Sequence, residues 1–276
     1  MRLAFNKEIV RSITRSWNRF LAIFAIVALG AGFYAGLRMA APDMRLTIDR
    51  YLDDTAFMDA HVISTLGLSA EDVAAVAALD GVEAVTGGHT ADVTANIGEA
   101  SYTVRVHSLD IEAAAASDTS DGRRALSDDA AYLNRPMLVD GRWPERSGEC
   151  LVDRSKLYAD EIHLGDRVTL TEGVLPPEET FARTDFTIVG VVYTSYYLRF
   201  TRGTTTLNDG NIDRYLLVPE GDFAEPETYT DLFLTVEGAR EASTFTDEYD
   251  ALVQPVALAL HDLAPVRAAA RLAEVK

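Results

Sequence analysis

FLAIFAIVALGAGFYAGL, residues 20–37, is eighteen residues without a charge or a proline. A helix rises about 1.5 Å per residue, so a hydrocarbon core of about 30 Å needs about 20 apolar residues. Met39 to Ala41 complete that length, with Arg38 able to snorkel toward the headgroups. A cleaved leader would have an apolar region of about 7–15 residues and a small-residue cleavage site. The Ala40-Ala41-Pro42 sequence is a poor site, because proline follows the cut. An interfacial helix would show a polar face, and this stretch has none. The span reads as a retained transmembrane helix over residues 20–41.

Charge orients it. Residues 1–19 hold Arg2, Lys7, Arg11, Arg15 and Arg19 against Glu8. Of the chain's net −18, the remainder carries 20 basic and 42 acidic side chains, a net of −22. Basic residues beside a span stay in the cytoplasm, which puts the N-terminus inside and the acidic bulk outside. That places the protein in the cell (inner or cytoplasmic) membrane. Acidity of this degree argues against a nucleic-acid partner, which would need a basic stripe. Phe5, Ile9, Ile13, Trp17 and Leu21 recur every four residues between basic positions. Residues 1–19 therefore read as a cytoplasmic amphipathic helix in the headgroup layer.

Beyond the span, Pro42 can open a new helical turn, and the pattern stays helical to about Asp53. PheMetAspAlaHisValIleSer (57–64) alternates as a strand. Ser69 and Asp72 form a capping box for a helix from Glu71 to Leu79, and residues 81–85 are a second strand. This order predicts a small α+β layer. Two alternating runs around IleGlyGluAla (97–100) read as a hairpin. Residues 149–153, 166–170, 186–193, 214–219 and 231–236 are further strands. The Ala113–Ala116 run with its SerAspThrSerAspGly continuation reads as a loop. From Thr244 onward the spacing is helical, predicting a helix over 244–276 that starts a stalk or coiled segment. The fold class expected is α+β: an N-terminal transmembrane helix, a β-rich domain over 42–243 and a C-terminal helix. The abrupt end reads as a fragment or one segment of something longer.

Chemistry is sparse. There is no Walker-type phosphate loop and no nucleophile elbow. His61, His89, His107, His163 and His261 are scattered without ligand spacing. Asp59 and His61 would share a strand face, as a surface pair rather than a metal site. The acidic pairs Asp53–Asp54, Asp128–Asp129 and Glu178–Glu179 read as solvated ends. Cys150, alone, excludes an intrachain disulfide and reads as a buried inert thiol. Tyr193, Tyr196, Tyr197 and Phe200 read as core or interface filler. No catalytic, cofactor-binding or metal-ligating residue is assigned, and no cofactor is expected.

LVDGRWPERSGECLVD (138–153), HLGDRVTL (163–170) and FTIVGVV (186–192) follow one another in order. Together they resemble the MacB-like periplasmic core domain of FtsX-type ABC transporter permeases. The matching positions are Gly141, Arg142, Pro144, Glu149, Gly165, Asp166, Val189 and Gly190. NRFLAIFAIVALGAGFYAGL (18–37) with AAPDM (40–44) is similar to the first membrane helix of that family. The resemblance implies a non-enzymatic permease subunit that relays ATP-driven motion to its extracytoplasmic domain. The partners it implies are a cytoplasmic ABC ATPase, a second permease copy or homologous subunit, the lipid bilayer and an extracytoplasmic cargo. The family usually has three more membrane helices, which this sequence lacks. The alternative is a single-pass, signal-anchored sensor or adaptor using the same domain for binding.

Overall fold

The computed structural model describes residues 17–117, 132–154, 162–196 and 202–274. Most of the basic lead-in (1–16), Asp128–Asp129, Tyr197 and Phe200 lie outside the described residues. The chain divides into two units at Arg50/Tyr51. The fold is α+β.

Helix α1 runs Trp17–Asp54, 38 residues or about 57 Å. It is the one described helix long and apolar enough to cross a membrane. Phe24, Val27, Leu29 and Phe33 are each more than 60 % exposed, and nothing lies within 4 Å of a Cβ built on Gly30, Gly32 or Gly36. A helix apolar all round fits a lipid environment. Pro42 does not begin a new helix; it sits inside α1, which continues through it. It removes one helical donor locally, and five residues on Thr47 Oγ1 donates to the Asp43 carbonyl at 2.8 Å.

The second unit has two layers. In the smaller, β1 (Ala60–Leu68) and β2 (Val82–Gly88) flank β10 (Tyr229–Val236) in an antiparallel sheet. The expected strand–helix–strand layer is present, but β1 and β2 do not touch as neighbours. Helix α2 (Ala70–Ala77) carries the expected Ser69/Asp72 capping box. With helix α5 (Asp247–Glu274) it covers Leu68, Leu232, Leu234 and Val236, through Val76 and Val256. Arg267 Nε reaches Asp72 Oδ1 at 2.5 Å, so the box acid also holds the C-terminal helix.

Between β2 and β10 the chain builds the larger layer. Strands β3 (Thr90–Ile97) and β4 (Ala100–Leu109) form the expected hairpin. Helix α3 (Ile111–Ala116) replaces the loop expected at the alanine run, because Asp110 caps it by accepting from Ala113 N at 3.0 Å. Strands β5 (Met137–Gly141), β6 (Glu149–Asp153) and β7 (Arg167–Gly173), helix α4 (Pro177–Thr180), β8 (Asp185–Tyr193) and β9 (Arg214–Pro219) follow.

Hydrogen bonding runs β8-β6-β9-β4-β3-β7, and β7 pairs back to β8. Six strands thus close into a barrel, with β5 added along β8. Closure leaves those six strands without a free edge. Val104, Val106, Cys150, Ile188 and Leu216 fill its interior, all at most 1 % exposed. Alternation along β6 sends Leu151 to the opposite face, into a second cluster with Val192 and Leu217. Cys150 is fully buried, and burial pushes its thiol pKa up.

Two outcomes follow from this core. A maleimide reagent is expected to leave Cys150 unmodified in the folded chain and to label it stoichiometrically after denaturation. Leu232→Ala, at a 0 % exposed position of the central strand β10, should cost about 2–5 kcal/mol in a denaturant titration.

Candidate functional site

The eight residues that carry the sequence resemblance gather around β8. At Gly141 φ is +79°, and a Cβ there would stand 2.3 Å from the Val189 carbonyl oxygen. A Cβ on Gly190 would stand 2.5 Å from the Arg142 carbonyl oxygen. Two backbones therefore approach closer than any side chain allows, and Arg142 N donates to Val189 O at 3.0 Å. Gly165, with φ +93°, donates to Ile188 O at 2.8 Å. Ile188 N returns a bond to Asp166 O at 3.0 Å, and the Asp166 carboxylate accepts from His163 N at 2.7 Å. Pro144 is buried in the turn between them.

Glu149 is the electrostatic centre of this cluster. Its two oxygens accept from Arg142 Nη1 and Nη2 at 2.8 and 2.7 Å, from Glu145 N at 2.9 Å and from Arg146 Nε at 3.1 Å. The Arg142 bonds outweigh burial and hold its pKa down at about 2. A carboxylate so fully committed is a structural tie.

A second cluster surrounds the last turn of α1 within the folded unit. Asn134 N and Arg135 N donate to the Ala56 and Thr55 carbonyls, each at 2.8 Å, and Arg240 Nη2 to Asp53 O at 3.0 Å. A cavity of about 340 Å³ lies there, lined in part by Arg135, Arg240, Asp59 and Tyr249. The Asp59–His61 surface pair does not form. Asp59 accepts from Tyr249 OH at 2.7 Å and Val236 N at 2.8 Å, and burial raises its pKa despite both bonds. His61 instead bonds Asp231 Oδ1 at 2.6 Å, from β1 across to β10.

The larger cavity, about 650 Å³, lies in the cleft between the three-stranded sheet and the barrel. Ile63, Val174 and Leu175 stand at its lining although each is at least 60 % exposed. Its floor holds His61, Asp231, His107, Tyr196 and Phe233. Of the residues expected as aromatic filler, Tyr196 stacks on His107 with centroids 4.6 Å apart, while Tyr193 is partly exposed. Sequence spacing gave no hint that His61, His89 and His107 share this seam. Among the described residues no group of three or more His, Cys, Asp or Glu is placed to hold a metal ion.

No family model matches the sequence, and no curated protein matches it. Solved structures do. The extracellular domain of YknZ, a noncanonic ABC-type transporter from Gram-positive bacteria, aligns at TM-score 0.35 and 12 % identity. The alignment covers 64 % of this chain and 78 % of that domain. The periplasmic region of MacB from Actinobacillus actinomycetemcomitans aligns at TM-score 0.36 and 13 % identity, over 73 % of this chain and 75 % of that one.

Glu149→Gln tests the tie at the cluster. Its carboxyl is lowered from 4.5 to about 2, so its contribution is complete above pH 4.5 and is lost as pH falls to about 2. Charged hydrogen bonds are worth about 1.5–3 kcal/mol, and each kcal/mol moves a midpoint by about 2–4 °C at this size. The variant should melt several degrees lower at pH 7, and the gap should close through that acid window.

Proposed function

We propose that the chain is the membrane-anchored, non-catalytic permease part of an FtsX/MacB-type ABC transporter. The observation that carries this reading is the β8 cluster. Of the positions that carry the resemblance, Gly141, Arg142, Glu149, Val189 and Gly190 contact one another, and Gly165 and Asp166 bond to Ile188 of the same strand. A resemblance made of unrelated turns would have no reason to converge in space. The long apolar helix α1 supports the membrane part of the reading.

In this reading residues 1–19 lie on the cytoplasmic face and residues 20–41 cross the cell membrane. Residues 42–243 form the extracytoplasmic core domain, and residues 244–276 start a stalk. A cytoplasmic ABC ATPase supplies the work, a second permease copy or homologous subunit pairs with this one, and an extracytoplasmic cargo or partner receives the motion. Two features suit such a relay. Helix α1 continues for about 16 residues, about 24 Å, past Arg38. At the far end of the sequence, α5 is tied by Arg267 to the buried carboxylate of Asp72. Motion entering either helix meets a hydrogen-bonded attachment to the three-stranded sheet and its surroundings.

The test is purification of the tagged protein from its native membrane in mild detergent. An ATPase of the ABC class should co-purify in stoichiometric amount. Single cysteines introduced at Lys7 and Asp209 should label from the cytoplasmic and external sides respectively. Absence of any ATPase, with a ligand-bound single-pass protein recovered instead, would favour the sensor or adaptor reading; reversed labelling would overturn the orientation.

A further inference from the structure

The chain has five histidines, and two of them, His163 and His261, have side chains more than 70 % exposed. The other three lie where the three-stranded sheet meets the barrel. His89 is 3 % exposed and occupies the single residue between β2 and β3. Its backbone N donates to Ser108 Oγ at 2.9 Å, its Nε2 lies 3.1 Å from Pro226 O, and its ring stacks on Phe223. His61 belongs to the sheet side and His107, 5 % exposed, to the barrel side.

A polar relay joins those two sides. His61 bonds Asp231; Thr230, beside it, donates to Asp231 and accepts from Thr90 N at 2.7 Å. Thr90 Oγ1 lies 3.1 Å from His107 Nδ1. Tyr196 then bridges the seam with rings, 4.6 Å from His107 and 5.5 Å from Phe233 of β10.

The charges that face His107 come from four strands. Asp231 of β10 and Asp92 of β3 favour its protonation; Arg105 of β4 and His61 of β1 oppose it. Both carboxylates already hold a partner. Asp92 takes Arg105 at 2.6 and 2.8 Å, and Asp231 takes His61 at 2.6 Å. Protonation puts a cation on His107 at a site 5 % exposed, where burial outweighs the attraction of the two carboxylates.

We propose that this seam is an acid-opened joint: protonation of His107 parts the three-stranded sheet from the barrel and widens the cleft between them. His61 and Asp231 stay together, since both belong to the sheet. Opening brings His107 to water, where its charge is solvated. The cleft's exposed Ile63, Val174 and Leu175 ring the space that would enlarge.

Burial, the largest influence, holds His107 down at about 4 from an ordinary 6.5. If opening restores the ordinary value, linkage raises the open-to-closed ratio by roughly 30-fold between pH 7.5 and pH 5. The joint needs no ATPase, so its test is independent of the transporter reading. Ile63→Cys and Val174→Cys place two spin labels on opposite walls of the cleft in the full chain, held in nanodiscs. The native Cys150 is fully buried and stays unlabelled.

The inter-label distance is expected to shift to a longer population between pH 7.5 and 5, with far-UV circular dichroism unchanged. His107→Gln should keep the short distance at pH 5. His61→Gln, which removes a charge that opposes protonation of His107, should move the opening to lower pH. An unchanged distance down to pH 4.5 would overturn the proposal. The same acid shift in both variants, or loss of sheet signal in step with the distance, would do so as well.

Discussion

The structure depends on one strand that arrives late. β10 pairs with β1 on one side and β2 on the other, and Leu232 and Leu234 are wholly buried beneath α2 and α5. Without it, β1 and β2 are separated edges and the helices have no sheet to cover. The chain cannot complete its small layer until it has passed through the barrel. Contacts of that sequence separation are entropically expensive to close. They also make the two layers mutually dependent: the small layer needs the return of the barrel's chain, and the seam between them is where outgoing and returning segments meet.

That topology explains why polar residues collect at the seam. His89 occupies the outgoing crossing, and Thr230 and Asp231 open the returning strand. His89, Thr230 and Asp231 each have hydrogen-bond partners there, as buried polar groups require. The result is a joint held by hydrogen bonds and ring contacts rather than by aliphatic packing alone. The barrel, by contrast, is closed around an apolar core of aliphatic and aromatic side chains, with no edge of its own.

Several elements were legible in advance. The Ser69/Asp72 box, the β3–β4 hairpin around residues 97–100 and the fully buried strands β6 and β9 follow from caps and alternation, which are local properties. Other elements were not. A short alanine run has no periodicity and suggests a loop where helix α3 forms, and its Asp110 cap is one residue among many acids. Proline suits the first turn of a helix, so Pro42 reads as a helix start, yet α1 carries it inside. Spacing on one strand pairs Asp59 with His61. Strand β10 and helix α5 gave each a different partner.

Sequence by itself determined the apolar span, the acidic balance beyond it and most of the strands, because charge and periodicity are carried by neighbouring residues. It also named Gly141, Arg142, Glu149, Gly165, Asp166 and Gly190 as a set. Only the tertiary structure decided that these gather around β8, that six strands close into a barrel, and that three scattered histidines share one seam. The reason is physical. A strand's pattern specifies which face is buried, but the partner that buries it is chosen by the packing of the whole chain.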